Sequence, residues 1–174
     1  MKNDKWILKA FLLTFLIALF FNTFSNVVIN QFDNLIILII LAIIFILIGI
    51  IFDIIGTATL TAEESTFHSK SAKRIKGAKE GVYLIKNSSR VSSICNDVIG
   101  DICGIVSGSV SAIIGLLISQ KINISPMLSI LLISSIISSL TVGGKAIGKK
   151  YAIKNADEIV FSVSKLLSKF KRSN

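Results

Sequence analysis

Long apolar runs alternate along this chain with short polar connections, and the period of the apolar positions is helical throughout. Four runs reach spanning length. The first extends from about Trp6 to Val28 and is densest between Phe11 and Phe21. The second, Leu35–Ile55, is almost entirely Ile, Leu and Phe. A third runs from about Val91 to Ile118, and a fourth from Pro126 to Val142. A helix needs about 20 apolar residues to cross the hydrocarbon layer; the third run is too long for a minimal span, and its polar first two turns are expected in the cytosolic interface. Pro126 suits a helix start, where a missing N–H leaves no bond unmade. No small-x-small cleavage site follows the first run, so it is expected to be retained as a helix and not removed as a secretory signal.

Two further segments carry helical periodicity with a basic face. In Ser69–Ile85 the apolar positions Ala72, Ile75, Ala78, Val82 and Ile85 recur at intervals of three and four, among Lys70, Lys73, Lys76 and Lys79. In the tail, Ala152, Ile159, Val163, Leu166 and Phe170 share one face, with Lys150, Lys154, Lys165 and Lys169 off it. Such helices either lie on the bilayer surface or pack on one another or on a partner. The expected architecture is an all-α membrane protein with about four transmembrane helices plus cytosolic amphipathic helices. Residues 1–34 form an extra N-terminal helix and a short outer loop. Residues 35–174 form the main membrane domain, with a basic loop at 56–90 and an amphipathic tail at 144–174.

Charge fixes the orientation. The formal net charge is +9, but the cations are grouped. Lys2, Lys5 and Lys9 precede or enter the first run, seven Lys/Arg lie between Lys70 and Arg90, and eight between Lys145 and Arg172. The connections Asn22–Asn34 and Gln120–Ser125 are nearly free of them. Basic loops stay on the cytosolic side, which places both termini and Gly56–Arg90 in the cytosol of a multi-pass cell-membrane protein. Basic groups that flank apolar spans, without interleaved base-stacking aromatics, argue against a nucleic-acid partner; the bilayer is the expected one. Cys95 and Cys103 would lie roughly 12 Å apart along a helix, too far for a disulfide. With His68 the single histidine, a zinc or haem centre is not expected. Glu63, Glu64 and His68 read as solvated residues past the second span.

The chemistry concentrates in Ser92–Gly104, at the mouth of the third run. Ionisable groups inside a membrane are costly and mark pathways or polar joints. Asp97 and Asp101 stand four residues apart on one helix face, and two such carboxylates do not both stay charged without a cation or a raised pKa. Asp53 near the end of the second run, and Lys145 just after the fourth, are expected at the same membrane face. Gly100, Gly104 and Gly108 follow at intervals of four, a row that Ser92 and Asn96 continue. Small residues at this interval predict a tight helix crossing, within the bundle or across a homodimer.

Three stretches resemble motifs of the CorC/CNNM magnesium transporter family, in order and spacing from about Leu35 onward. Phe52-Asp53-Ile54-Ile55-Gly56-Thr57-Ala58 falls at the family's Phe-Ser-x-x-Glu-x-Ala. Asn96-Asp97-Val98-Ile99-Gly100-Asp101 falls at its Gly-Asn-x-x-x-Asn stretch. Gly144-Lys145-Ala146-Ile147-Gly148-Lys149 falls at Gly-Glu-x-x-Pro-Lys, and Asn155-Ala156-Asp157-Glu158 is similar to an Asn-Ala-Glu stretch beyond it. The resemblance implies a non-enzymatic protein that moves or binds Mg²⁺ or another divalent cation, with Asp53, Asn96, Asp97 and Asp101 as ligands. Aspartates suit a hard cation. The family's final glutamate is Lys145 here, and its first-motif glutamate is Gly56. The alternative is therefore a non-transporting relative in which Lys145 is a built-in counterion and the protein is a structural or regulatory membrane partner. The family's CBS domains are not expected in so short a tail.

Overall fold

The computed structural model describes residues 2–31 and 34–171, and the side chains of 8–31 and 34–169. Lys2, Lys5 and Phe170, named above, thus have side chains outside the described set. Every regular element among the described residues is a helix. In chain order these are α1 (Lys2–Gln31), α2 (Leu35–Thr61), α3 (Glu64–Ala72), α4 (Ala78–Lys86), α5 (Ser88–Ser92), a π-helical segment (Ser93–Gly100), α6 (Asp101–Ile122), α7 (Pro126–Lys154) and α8 (Ala156–Lys171). Four helical stretches are long and apolar enough to cross a membrane: Leu8–Gln31, Leu35–Thr61, Ser88–Ile122 and Pro126–Lys154. All four extend past the apolar runs. α7 continues through Gly143 and Gly144 to Lys154, so Lys145 lies inside a helix and not after one.

The helix ends have local causes. Asn34 accepts a hydrogen bond from the Ile36 N–H at 2.9 Å and opens α2. Asn123, at φ 52°, closes α6 in the left-handed conformation that asparagine tolerates, and the Ile124 N–H returns to the Ser119 carbonyl.

The chain divides into two compact units. One contains the residues up to Ile50 together with Val98–Lys145. Its core is a strip of α2 (Leu38, Leu41, Ala42, Phe45) against α6 (Ile102, Cys103, Val106, Val110, Ile114). The intervals of three and four put the α2 strip on one face, and Ile36, Ile40, Ile43 and Leu47 are left exposed on the others. Phe21 of α1 meets Phe45 edge-on at 5.6 Å. α6 and α7 approach closely at Gly115. A Cβ there would lie 2.7 Å from the Ile130 Cα, and Ser129 Oγ donates to the Gly115 carbonyl at 2.7 Å.

The other unit contains Ile51–Asp97 and the residues from Ala146 onward. Its core is built by Ala58, Phe67, Leu84, Ile85, Ala152, Ala156 and Val160. Here the amphipathic segments pack on each other: α4 lies on α8 and on α3, so their apolar faces are filled by protein. The single helix expected over Ser69–Ile85 is two helices. The chain turns at residues 73–77, with Arg74 at φ 54° and Gly77 at φ 89°. Ala72 and Ile75 are therefore exposed, whereas Ala78 and Ile85 stay buried. In the tail the buried row is Ala152, Ala156, Val160 and Ser164; Leu166 is exposed.

Candidate functional site

Each sequence-derived polar residue has a definite setting, and the settings differ between the two units. In the unit that holds most of α6, Lys145 Nζ lies 3.3 Å from Asp101 Oδ1. The lysine is largely covered, with 19% of its side chain exposed, and the carboxylate is open at 66%. Beside this pair a groove of about 450 Å³ runs between α6 and α7. Gly104, Ser107 and Gly108 line one wall; Ile137, Ser138 and Thr141 line the other. The groove is closed off beyond by a hydrogen bond between Ser111 and Ser134 at 3.0 Å. The hydroxyls of Ser107 and Thr141 return to the Gly104 and Ile137 carbonyls. Apart from the ion pair, the groove is lined by Ile105, Ile137 and Val142 and by small residues, of which Ser107 and Thr141 bond their own helices.

Of the glycine row, Gly100 lies at a close helix approach, its carbonyl oxygen 3.5 Å from where a Cβ on Gly49 would stand, whereas Gly104 and Gly108 make no such contact. A Cβ on Gly104 or Gly108 would have nothing within 4 Å. Two close helix contacts also involve glycines outside that row. Gly115 meets Ile130, and a Cβ on Gly49 would lie 3.3 Å from the Cys103 Cβ. Both cysteines are free and buried, in keeping with a packing role.

In the second unit, Asp53 is buried on α2 with Lys149 Nζ at 3.8 Å from its Oδ1. Asn96, on the π-helical segment, donates from Nδ2 to Ser92 Oγ at 3.3 Å. Its Oδ1 is buried and accepts no hydrogen bond among the described residues. The side chain lies against Gly56, where any Cβ would overlap that oxygen. Glycine at position 56 is therefore a fit to Asn96 as well as a departure from the family motif. Asp97 is exposed and accepts a hydrogen bond from Ser93 Oγ at 3.0 Å.

Neither a family model, nor a curated protein, nor a solved structure matches the chain. The site is therefore read on its own geometry. Among the described residues, no three His, Cys, Asp or Glu side chains come together to hold a metal ion. His68 pairs with Glu64 at 3.1 Å on the exposed side of α3, and the Glu63 N–H donates to Asp157 at 2.9 Å, tying the start of α3 to α8.

The π-helical segment is the feature that sequence reasoning missed. Its i→i+5 bonds widen the turn, and such segments occur often at functional sites. The glycine-row argument assumed α-helical periodicity through residues 92–108. The π segment interrupts that register, and the row divides. Ser92 and Asn96 bond each other, while Gly104 and Gly108 open onto the groove. The polar Ser-x-x-x-Asn-Asp sequence was the available signal, although nothing in it specifies a π-turn over an α-turn.

Proposed function

We propose that this chain is an integral membrane protein in which lysines of the last span take the place of a bound cation. In this reading it is a non-transporting, non-enzymatic structural or regulatory partner in the membrane, with both termini in the cytosol. The observation that carries the reading is the Lys145–Asp101 contact at 3.3 Å. A charge-assisted bond of this kind neutralises the carboxylate without a metal, and an ammonium at the position repels a divalent ion. Lys149 stands 3.8 Å from Asp53, beyond hydrogen-bond distance, and supplies a nearby positive charge only. The open face of Gly104 and Gly108 is where a second copy would approach in a homodimer.

Titration calorimetry of Mg²⁺ into the purified protein, beside a Lys145→Glu variant, tests the reading. The wild type is expected to show no binding heat and the variant to gain it. Wild-type binding that Asp101→Asn abolishes would overturn the proposal. A second reading, cation binding or transport in the manner of the CorC/CNNM resemblance, is favoured by one observation. The buried Asn96 Oδ1 accepts no hydrogen bond and is of the donor class that hard cations take. Loss of Mg²⁺ binding in Asn96→Ala with wild-type binding intact would establish that reading instead.

A further inference from the structure

Cations in the unit that contains α3, α4 and α8 fall into two groups. Some are engaged by the fold itself. Lys70 Nζ lies 4.5 Å from the centre of the Phe161 ring, and Lys165 Nζ lies 4.3 Å from the same ring. Lys149 faces Asp53. Lys73, Arg74, Lys76 and Lys79 make no ion pair or ring contact among the described residues. All four are exposed on the α3–α4 turn.

The turn is held rigidly. The Lys73, Arg74 and Ile75 N–H groups return to the Ser69, Ser71 and Lys70 carbonyls at 3.2, 2.9 and 3.1 Å. Gly77, at φ 89°, lets the backbone approach α8 so closely that a Cβ would stand 3.0 Å from the Lys165 Cα. A concavity of about 610 Å³ opens on this turn, and Arg74, Ile75, Lys76 and Lys79 line it. Glu80 is the one acidic group of its lining. Ile75 is 41% exposed amid these cations. The apolar faces of α4 and α8 are already filled by their mutual packing, so attachment through a buried amphipathic face is not available to them.

We infer that the α3–α4 turn is a docking surface for anionic phospholipid headgroups, engaged through Lys73, Arg74, Lys76 and Lys79 with Ile75 at its centre. Charge complementarity commits the occupant. Clusters of four or more basic residues beside a membrane span attract the anionic cytosolic leaflet, and four cations against one carboxylate make such a cluster. The exposed isoleucine suits an interface where headgroups meet acyl chains. The inference rests on the membrane placement proposed above and is independent of whether Lys145 replaces a cation.

The experiment uses the full chain in nanodiscs of phosphatidylcholine alone, or of phosphatidylcholine and phosphatidylserine in equal parts. Recovery of the protein in phosphatidylcholine discs reports membrane insertion separately. Amide hydrogen exchange over residues 73–79 is expected to slow by at least about fivefold in the serine-lipid discs, the preference that even one cation near an anionic surface contributes. The quadruple variant Lys73→Gln, Arg74→Gln, Lys76→Gln, Lys79→Gln is expected to lose that difference, with exchange over residues 64–69 unchanged as the check on folding. Equal exchange in both discs overturns the inference, as does a lipid effect that survives in the quadruple variant. Inorganic phosphate or RNA that slows exchange equally in phosphatidylcholine discs also overturns it, since the site would then answer to soluble anions.

Discussion

Phe67 is the residue on which the packing of the amphipathic helices turns. It is fully buried, its ring lies against Gly81 closely enough that any Cβ there would overlap it, and it meets Phe161 edge-on at 6.5 Å. Truncating a buried phenylalanine to alanine costs about 3–5 kcal/mol. Lys70, 5.2 Å from the ring centre, would also lose a cation–π contact worth roughly 0.5–1 kcal/mol at an exposed site. The Phe161 contact of the same lysine remains, so that loss is largely offset and the lower part of the truncation range, about 3–4 kcal/mol, is the better expectation. At about 1.4 kcal/mol per factor of ten, the opening equilibrium of this unit rises by about two to three orders of magnitude. Local opening of packed helices is what amide exchange reads. In Phe67→Ala, exchange over residues 64–72, 78–86 and 156–169 should accelerate together by that factor, with α6 and the first part of α2 unaffected. If Phe67→Ala exchanges like wild type in detergent and in bilayers, the helices do not depend on one another. The amphipathic faces would then be held by lipid, and the packing argument fails.

Two further substitutions test the glycines. Gly115→Val should destabilise the α6–α7 pair by about 1–3 kcal/mol, because the obstacle is the Ile130 backbone and not a movable side chain. Gly104→Ala and Gly108→Ala should stay within about 0.5 kcal/mol for the monomer. Reversible unfolding in mixed micelles separates the two classes, and equal losses at Gly104 and Gly115 would contradict the observed crossing. Gly56→Ala should cost about 1–3 kcal/mol through overlap with Asn96. Most of that cost should disappear in the Asn96→Ala background, a coupling that a double-mutant cycle measures; strict additivity would show that the two residues do not touch.

What the sequence made legible follows the physics of each feature. The four long apolar helices were legible because an apolar run of membrane length has few alternative structures, and the start at Pro126 because a missing N–H costs nothing there. Lys145 was legible as a counterion through the family resemblance, but which carboxylate it meets was not; the contact falls on Asp101. The break at residues 73–77 was not legible. The apolar positions on either side keep a common helical period, and the turn depends on Gly77 reaching a left-handed conformation against α8, a tertiary circumstance. The tail's row was legible only in part: Ala152 is buried and Ile159 and Val163 pack against the core, but the row centres on Ala156, Val160 and Ser164. Ala156 and Ser164 are small and occupy the closest approach to the core, whereas a reading by hydrophobicity favoured Leu166, which is exposed.

The polar stretch from Ser92 to Asp101 shows the same limit at the place where function concentrates. Spacing by four places Asn96, Gly100, Gly104 and Gly108 on one face only if every turn is an α-turn. The π-helical segment at Ser93–Gly100 breaks that condition, and residues that look equivalent in sequence take different work. Asn96 rests on Gly56. Asp97 stays exposed beside Ser93. Asp101 takes Lys145. Gly104 and Gly108 are left to face the groove. Asp101 thus has an ammonium beside it, whereas exposed Asp97 has only the neutral Ser93 hydroxyl, and the two carboxylates do not share a partner. That separation favours the counterion reading over the cation-binding one.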